Sequence, residues 1–193
     1  MTMTLVQRAE YLARRAHAGQ KRKYDGRPYI VHPEKVATEV AKLPGVTDIE
    51  IAAAWLHDVI EDCDEWFAKE IRLEFPPEVE ILVCELTNPS KDSKAPRWVR
   101  KTLNRNHSRN ASLWARKIKL IDRICNLHDM SHDNAPLDFR LLYCNESEQL
   151  AVALHGTDEE LEHRLVEEIT RLRLKKVDVE APTKRCVDAA QEA

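Results

Sequence analysis

Apolar positions recur along this chain at intervals of three and four, the spacing of one face of an α-helix. Leu5, Ala9, Leu12 and Ala16 make the first stripe, and Thr4 stands ahead of them as a cap, predicting a helix over 4–18. A loop of turn-forming and charged residues follows, "GQKRKYDGRPYIVHP". The next helix is predicted to open at Pro33 and to close near Leu43, where Pro44 and Gly45 stop it. Thr47 with Glu50 spells a capping box, so a third helix runs from there to about Cys63. Further helical patterns cover 64–75, 77–86, 97–109 and 112–130, with a polar loop over 88–96 and a break from Asn134 to Leu137. A second capping box, Thr157 with Glu160, opens a last helix to about Leu174. No alternating strand pattern, repeat or linker interrupts the series. The pattern predicts one all-α domain over 1–179 and a frayed polar tail over 180–193.

Composition narrows the function classes. Hydrophobic residues are 43% and charged residues 33%, which is too apolar for a disordered chain. No run approaches the ~20 apolar residues of a membrane span, and no signal-peptide pattern is present, so no membrane partner and a cytoplasmic location are expected. The five cysteines are scattered without a CxxC, which predicts buried free thiols. With only four glycines, a Gly-rich phosphate loop is excluded. Between Lys91 and Lys119 stand ten Lys or Arg against one acid, Asp92. A basic block in a chain of net charge −3 fits a small anionic ligand or a solvated helix face. The overall negative charge and the missing aromatic–basic interleave argue against nucleic acid. Nothing in the pattern fixes an oligomeric state. Trp55, Trp66, Trp98 and Trp114 fall on helical patterns as core or groove residues.

One stretch contradicts its surroundings. "AAAWLHDVIED" at 52–62 begins like the inside of a helix and then sets His57, Asp58, Glu61 and Asp62 within six residues. Adjacent His57 and Asp58 lie about 100° apart around a helix axis, so both can reach one ion, and Glu61 falls one turn from His57. Neutral imidazole with carboxylates suits Mn²⁺, Fe²⁺ or Zn²⁺ better than Ca²⁺. Taken alone, an HD pair is also what a surface His beside an acid looks like. Two further residues join it. His32 precedes Pro33, which biases its backbone out of the α region and sets an imidazole at a helix mouth. Asp122 lies among Leu120, Ile121, Ile124 and Leu127, so it is expected to be buried, and it needs either Arg123 or Lys119 as a partner or a metal.

The order His32 … His57-Asp58 … Asp122 resembles the signature of the HD-domain metal-dependent phosphohydrolases, an all-helical superfamily. "AHAGQKRKYDGRPYIVHP" at 16–33, "WLHDVIED" and "IKLIDRICNL" are similar to the loop and the two helical motifs of the Rel/Spo alarmone hydrolases. The likeness spans roughly residues 5–130, and the chain length matches the stand-alone small members. It implies a single-domain helical HD-domain fold in which His32, His57, Asp58 and Asp122 hold a metal, Mn²⁺ first and another divalent transition metal second. It further implies that Glu61 and Asp62 position or deprotonate the attacking water. Arg22, Lys23 and Asn126 would contact a guanine nucleotide. The implied reaction removes the 3′-pyrophosphate of guanosine tetra- or pentaphosphate, giving GDP or GTP. The basic block offers Lys94, Arg97, Arg100 and Lys101 to the outer phosphates. Two departures stand out: Ile121 where the family has a small residue, and, after residue 130, "APLDFRLLYCNESEQLAVALHGTDEELEHRL" where it continues with a Trp-containing element and a Tyr-Phe-x-Trp run. These keep open an HD phosphohydrolase of another nucleotide, such as a 5′-nucleotidase or an NADPH phosphatase. A non-catalytic nucleotide binder is the remaining alternative; it would have no need of Glu61 and Asp62. His17 is expected to buttress the loop, and His128 with His132 to mark a helix end.

Overall fold

The computed structural model describes residues 2–132 and 135–175, so the predicted boundary at 179 and the tail beyond it lie outside the described residues. Among those residues ten helices and one isolated backbone bridge, Lys21 with Pro28, account for the regular structure. They are α1 (Leu5–Ala16), α2 (Val31–Val40), α3 (Asp48–Leu56), α4 (Val59–Asp62) and α5 (Glu65–Glu74). Then come α6 (Pro77–Leu86), α7 (Arg97–Asn110), α8 (Leu113–Met130), α9 (Leu137–Ala153) and α10 (Glu159–Leu174). The all-α expectation holds. No helix among the described residues is long and apolar enough to cross a membrane.

Local chemistry explains most of the boundaries. Thr4 accepts from the Gln7 amide while the Gln7 side chain accepts from Thr4, and Thr47 with Glu50 repeats the arrangement at α3. Ser112 caps α8 through the Ala115 amide. At α10 the cap is one residue later than predicted. Asp158, not Thr157, accepts from Leu161, because Glu162 reaches back to the Thr157 and Asp158 amides in place of Glu160. Pro76, Pro96 and Pro136 precede α6, α7 and α9, where a helix loses nothing by the missing N–H.

Helix α3 is the axis of the molecule. Its Ala52, Ala53, Ala54 and Leu56 are fully buried, and α1, α2, α6 and α8 all pack on it. Three consecutive alanines let those neighbours approach from every side, as an all-round apolar helix requires. An Ala53→Leu substitution adds volume that no side can absorb. It is expected to lower stability by about 1–3 kcal/mol, read as a lower urea midpoint at unchanged slope.

Three expectations are corrected. The third helix does not run to Cys63: it stops at Leu56 and resumes at Val59. His57 Nδ1–H occupies the Ala54 carbonyl at 2.7 Å, competing for the acceptor that a continuing helix would use. Helix α2 starts at Val31, not Pro33, so His32 lies inside the first turn, its amide donating to the Tyr29 carbonyl at 2.9 Å. Pro33 is tolerated there because first-turn amides have no intrahelical acceptor. Finally, Trp66 and Trp98 are exposed, as is Cys84; among the described residues Trp55, Cys125 and Cys144 are buried as expected, Trp114 and Cys63 are half-buried against the core, and Cys186 lies outside the described residues.

Candidate metal centre and nucleotide cleft

Four side chains from distant parts of the sequence meet where α2, the α3–α4 corner and α8 converge. His32 Nε2 lies 3.1 Å from Asp122 Oδ1 and 3.7 Å from Asp58 Oδ2. His57 Nε2 lies 3.1 Å from Asp58 Oδ2 and 3.9 Å from Asp122 Oδ1. Both imidazoles are almost completely buried, at 1% and 2% exposure, and Asp122 is at 6%. One donor atom each from His32, His57 and Asp58 falls within 4.8 Å of the others.

The donor chemistry fits a cation. Because the Ala54 carbonyl can only accept, His57 must carry its proton on Nδ1, which leaves the Nε2 lone pair turned into the cluster. That Nε2 is buried and makes no aligned hydrogen bond, although Asp58 stands within reach; His32 Nδ1 is likewise without a partner. Burial lowers the affinity of His57 for a proton, yet Asp58 and Asp122 more than offset it and raise the imidazole to about 9. Two carboxylates and two imidazoles thus enclose a point that attracts positive charge, and a bound proton is the smallest answer to it.

The surrounding residues fix these donors. Tyr29 donates its phenol to Asp58 Oδ2 at 2.8 Å and lies 3.2 Å from Asp62 Oδ2. Burial and the nearby Asp58 push that phenol well above its ordinary pKa, so it remains a donor. Lys119 pairs with Asp122 Oδ2 at 3.2 Å, and Asn126 donates to Asp122 Oδ1 at 2.6 Å. Of the two expected partners for Asp122, Lys119 is the one in contact; Arg123 donates instead to Ser147. Burial opposes ionisation of Asp122, but Lys119 and the imidazoles outweigh it and hold the carboxyl well below the usual range.

Glu61 and Asp62 flank the cluster on α4. Both Glu61 oxygens accept from Asn88, one from its backbone amide at 3.1 Å and both from its side-chain amide at 2.7 and 2.9 Å. Partial burial, then Asp58 and Glu61, push Asp62 up to about 6. His17 Nδ1 meets Gln20 at 2.8 Å, and Gln20 in turn donates to the Asp62 carbonyl, so His17 braces the loop.

A cavity of roughly 210 Å³ opens beside the cluster, lined among others by Arg22, Lys23, Tyr24, Asn126, Phe139 and Tyr143. Arg22 donates both terminal nitrogens to Asn126 Oδ1 at 3.2 and 3.3 Å and reaches Asp129 at 3.4 Å. Lys23 sits over the rings of Tyr24 and Phe139. Tyr24, Phe139 and Tyr143 are the residues that sequence reasoning missed or left unassigned here, together with Tyr29 and Asn88 around the cluster. The basic block contributes less than expected to this cleft. Arg97 is bidentate on Glu146, Lys101 stands 3.8 Å from the same carboxylate, Arg100 donates to the Ala95 carbonyl and Lys94 is exposed. Ile121 is fully buried in the core. His128 pairs with Glu168 and stacks near His132, with no third donor gathered there among the described residues.

Similarity to known proteins is extensive. The chain is 33% identical over 165 residues to the human "Guanosine-3′,5′-bis(diphosphate) 3′-pyrophosphohydrolase MESH1", covering 83% of this chain and 90% of that one. The Drosophila melanogaster protein of that name is 34% identical over 163 residues, covering 81% and 88%. A solved structure described as "A metazoan ortholog of SpoT hydrolyzes ppGpp and plays a role in starvation responses" superposes with a TM-score of 0.78. It is 29% identical and covers 91% of this chain and 99% of its own. The HD domain family itself matches residues 9–143, a span that contains every member of the buried cluster. On that match, and on those relatives, the chain belongs to the HD domain family.

Proposed function

We propose that this chain is a metal-dependent hydrolase that removes the 3′-pyrophosphate of guanosine tetra- or pentaphosphate, yielding GDP or GTP and pyrophosphate. The carrying observation is the buried cluster, in which an imidazole lone pair fixed by its own backbone bond faces two carboxylates. The activity for which the human and fly relatives are named supports the substrate class.

In this reading His32, His57, Asp58 and Asp122 hold the cation, and the mixed nitrogen and oxygen donors favour Mn²⁺ over Ca²⁺. The cation supplies Lewis-acid stabilisation of charge on the phosphoryl oxygens and lowers the pKa of a water toward neutrality. The chain does the rest. Tyr29 orients Asp58, while Lys119 and Asn126 orient Asp122. Glu61, clamped by Asn88, positions the attacking water, and Asp62 beside it takes up the proton. Arg22, Lys23 and Asn126 bind the nucleotide, with Arg22 offering a flat face to the purine. The free thiols among the described cysteines suit action in the cytoplasm.

A second reading, hydrolysis of another nucleotide such as NADPH or a 5′-nucleotide, is favoured by the cleft lining. Tyr24, Phe139 and Tyr143 present rings that accept any base, and the one amide, Asn126, is already committed to Asp122 and Arg22. A panel of guanosine tetraphosphate, ordinary nucleotides and NADPH, assayed with and without Mn²⁺, separates the two. Pyrophosphate release from the tetraphosphate, abolished by chelator, is the expected result. Faster turnover of NADPH or a 5′-nucleotide would install the second reading.

A further inference from the structure

Behind the carboxylates lies a second recess that the reading above does not use. Lys101 and Arg105 of α7, Lys119 and Arg123 of α8, Glu146 of α9 and Asn88 are among the residues that line it. Two of these are shared with the cluster: Asn88 clamps Glu61, and Lys119 pairs with Asp122. The recess meets the aromatic cleft at one stack, where the Arg123 guanidinium lies 4.4 Å from the centre of the Tyr143 ring.

Its charge does not balance internally. Four cations face it, and Arg97 adds a fifth at the rim through Glu146. Against them stand Glu146, already bidentate on Arg97, Asp122, shared with two imidazoles, and, acting on Lys119 from farther off, Asp58 and Glu61. Arg123 is 9% exposed, and its Nε has no partner. Burial and the neighbouring Arg123, Arg97 and Lys119 pull Lys101 below the ordinary lysine value, against the attraction of Glu146. A half-buried excess of cations with a buried donor unfilled is costly until an anion enters. Donors spread over two helices suit a tetrahedral oxyanion with several oxygens.

We propose that this recess seats the pyrophosphate product, and that Glu146 is its resident counter-ion, competing for Lys101 and Arg97 so that the product leaves. The proposal rests on the pyrophosphohydrolase reading for the identity of the anion. Its geometry separates the two products, with the nucleoside in the aromatic cleft and the released diphosphate in the cationic recess. Glu146 thereby trades product affinity for turnover.

The test is titration calorimetry of inorganic pyrophosphate, and separately of GDP, into the full chain under chelator, followed by product inhibition with the metal-loaded enzyme. Arg105→Gln is expected to weaken pyrophosphate binding at least about tenfold, the size of one charge-assisted contact, and to leave GDP unchanged. Glu146→Gln, which keeps the side-chain volume, is expected to tighten pyrophosphate by a similar factor and to strengthen its product inhibition. No pyrophosphate binding by the wild-type chain, or unchanged affinity in both variants, overturns the proposal. So does Arg105→Gln weakening GDP while sparing pyrophosphate, which would assign the recess to the 5′-diphosphate of the nucleotide. A chain that binds pyrophosphate through Arg105 yet fails to cleave the tetraphosphate keeps the seat and loses the pyrophosphohydrolase reading instead.

Discussion

Asp122→Ala is expected to strip the divalent cation from the purified protein and to lower turnover by about 10³-fold or more, the loss that accompanies removal of several kcal/mol of charge stabilisation. Asp122 is the one carboxylate that stands near both imidazoles while also carrying Lys119 and Asn126. Alanine therefore removes a donor and leaves a buried ammonium without its partner, and breaking such a pair costs about 3–5 kcal/mol. Asp122→Asn is the companion variant, since it keeps the volume and one acceptor oxygen while losing the charge and the second acceptor. Metal content by mass spectrometry, turnover and a denaturant midpoint, measured on both, separate the site from the fold. An alanine variant that stays folded, keeps its cation and turns over at the wild-type rate would remove Asp122 from the donor set.

Glu61→Gln is expected to behave differently. The cation stays, KM moves little and kcat falls by about 10²–10⁴, because the water is no longer held for the proton transfer to Asp62. Glu61 has no contact with His32, His57 or Asp122 among its hydrogen bonds; Asn88 holds both of its oxygens. Glutamine keeps the shape and one of those acceptors, so a drop in kcat alone isolates the role of the carboxylate. A kcat within twofold of wild type, with the cation retained, would move that role to Asp62.

What the sequence made legible tracks the strength of the local signal. Helices with an apolar stripe and a polar cap, such as α1 and α8, were placed to within a few residues. Helix α9 was not foreseen. Its buried face carries Arg140, Cys144, Glu146 and Ser147 while Leu141, Leu142 and Val152 point outward, so no stripe exists to read. The corner at His57-Asp58 was read as continuous helix because the bond that interrupts it belongs to a side chain, and propensity is blind to that. His32, His57, Asp58 and Asp122 were singled out from their chemistry and motif order, and the structure brings all four together; their role as ligands remains a proposal. Some of the residues around them were invisible for a physical reason. Tyr29 and Asn88 are ordinary residues in connections between helices, and only tertiary proximity gives them work; Lys119, one turn from Asp122 on the same helix, is legible as its partner. The basic block misled for the same reason, since Glu146, the partner of Arg97 and Lys101, comes from α9.

The side-chain amide of Asn126 is divided, its nitrogen given to Asp122 and its oxygen to Arg22. On the proposed reading, one residue then serves both the buried carboxylates and the recognition of the nucleotide. Retuning nucleoside preference through Arg22 would disturb the carboxylate beneath it, confining variation at this loop to changes that leave that amide's orientation intact.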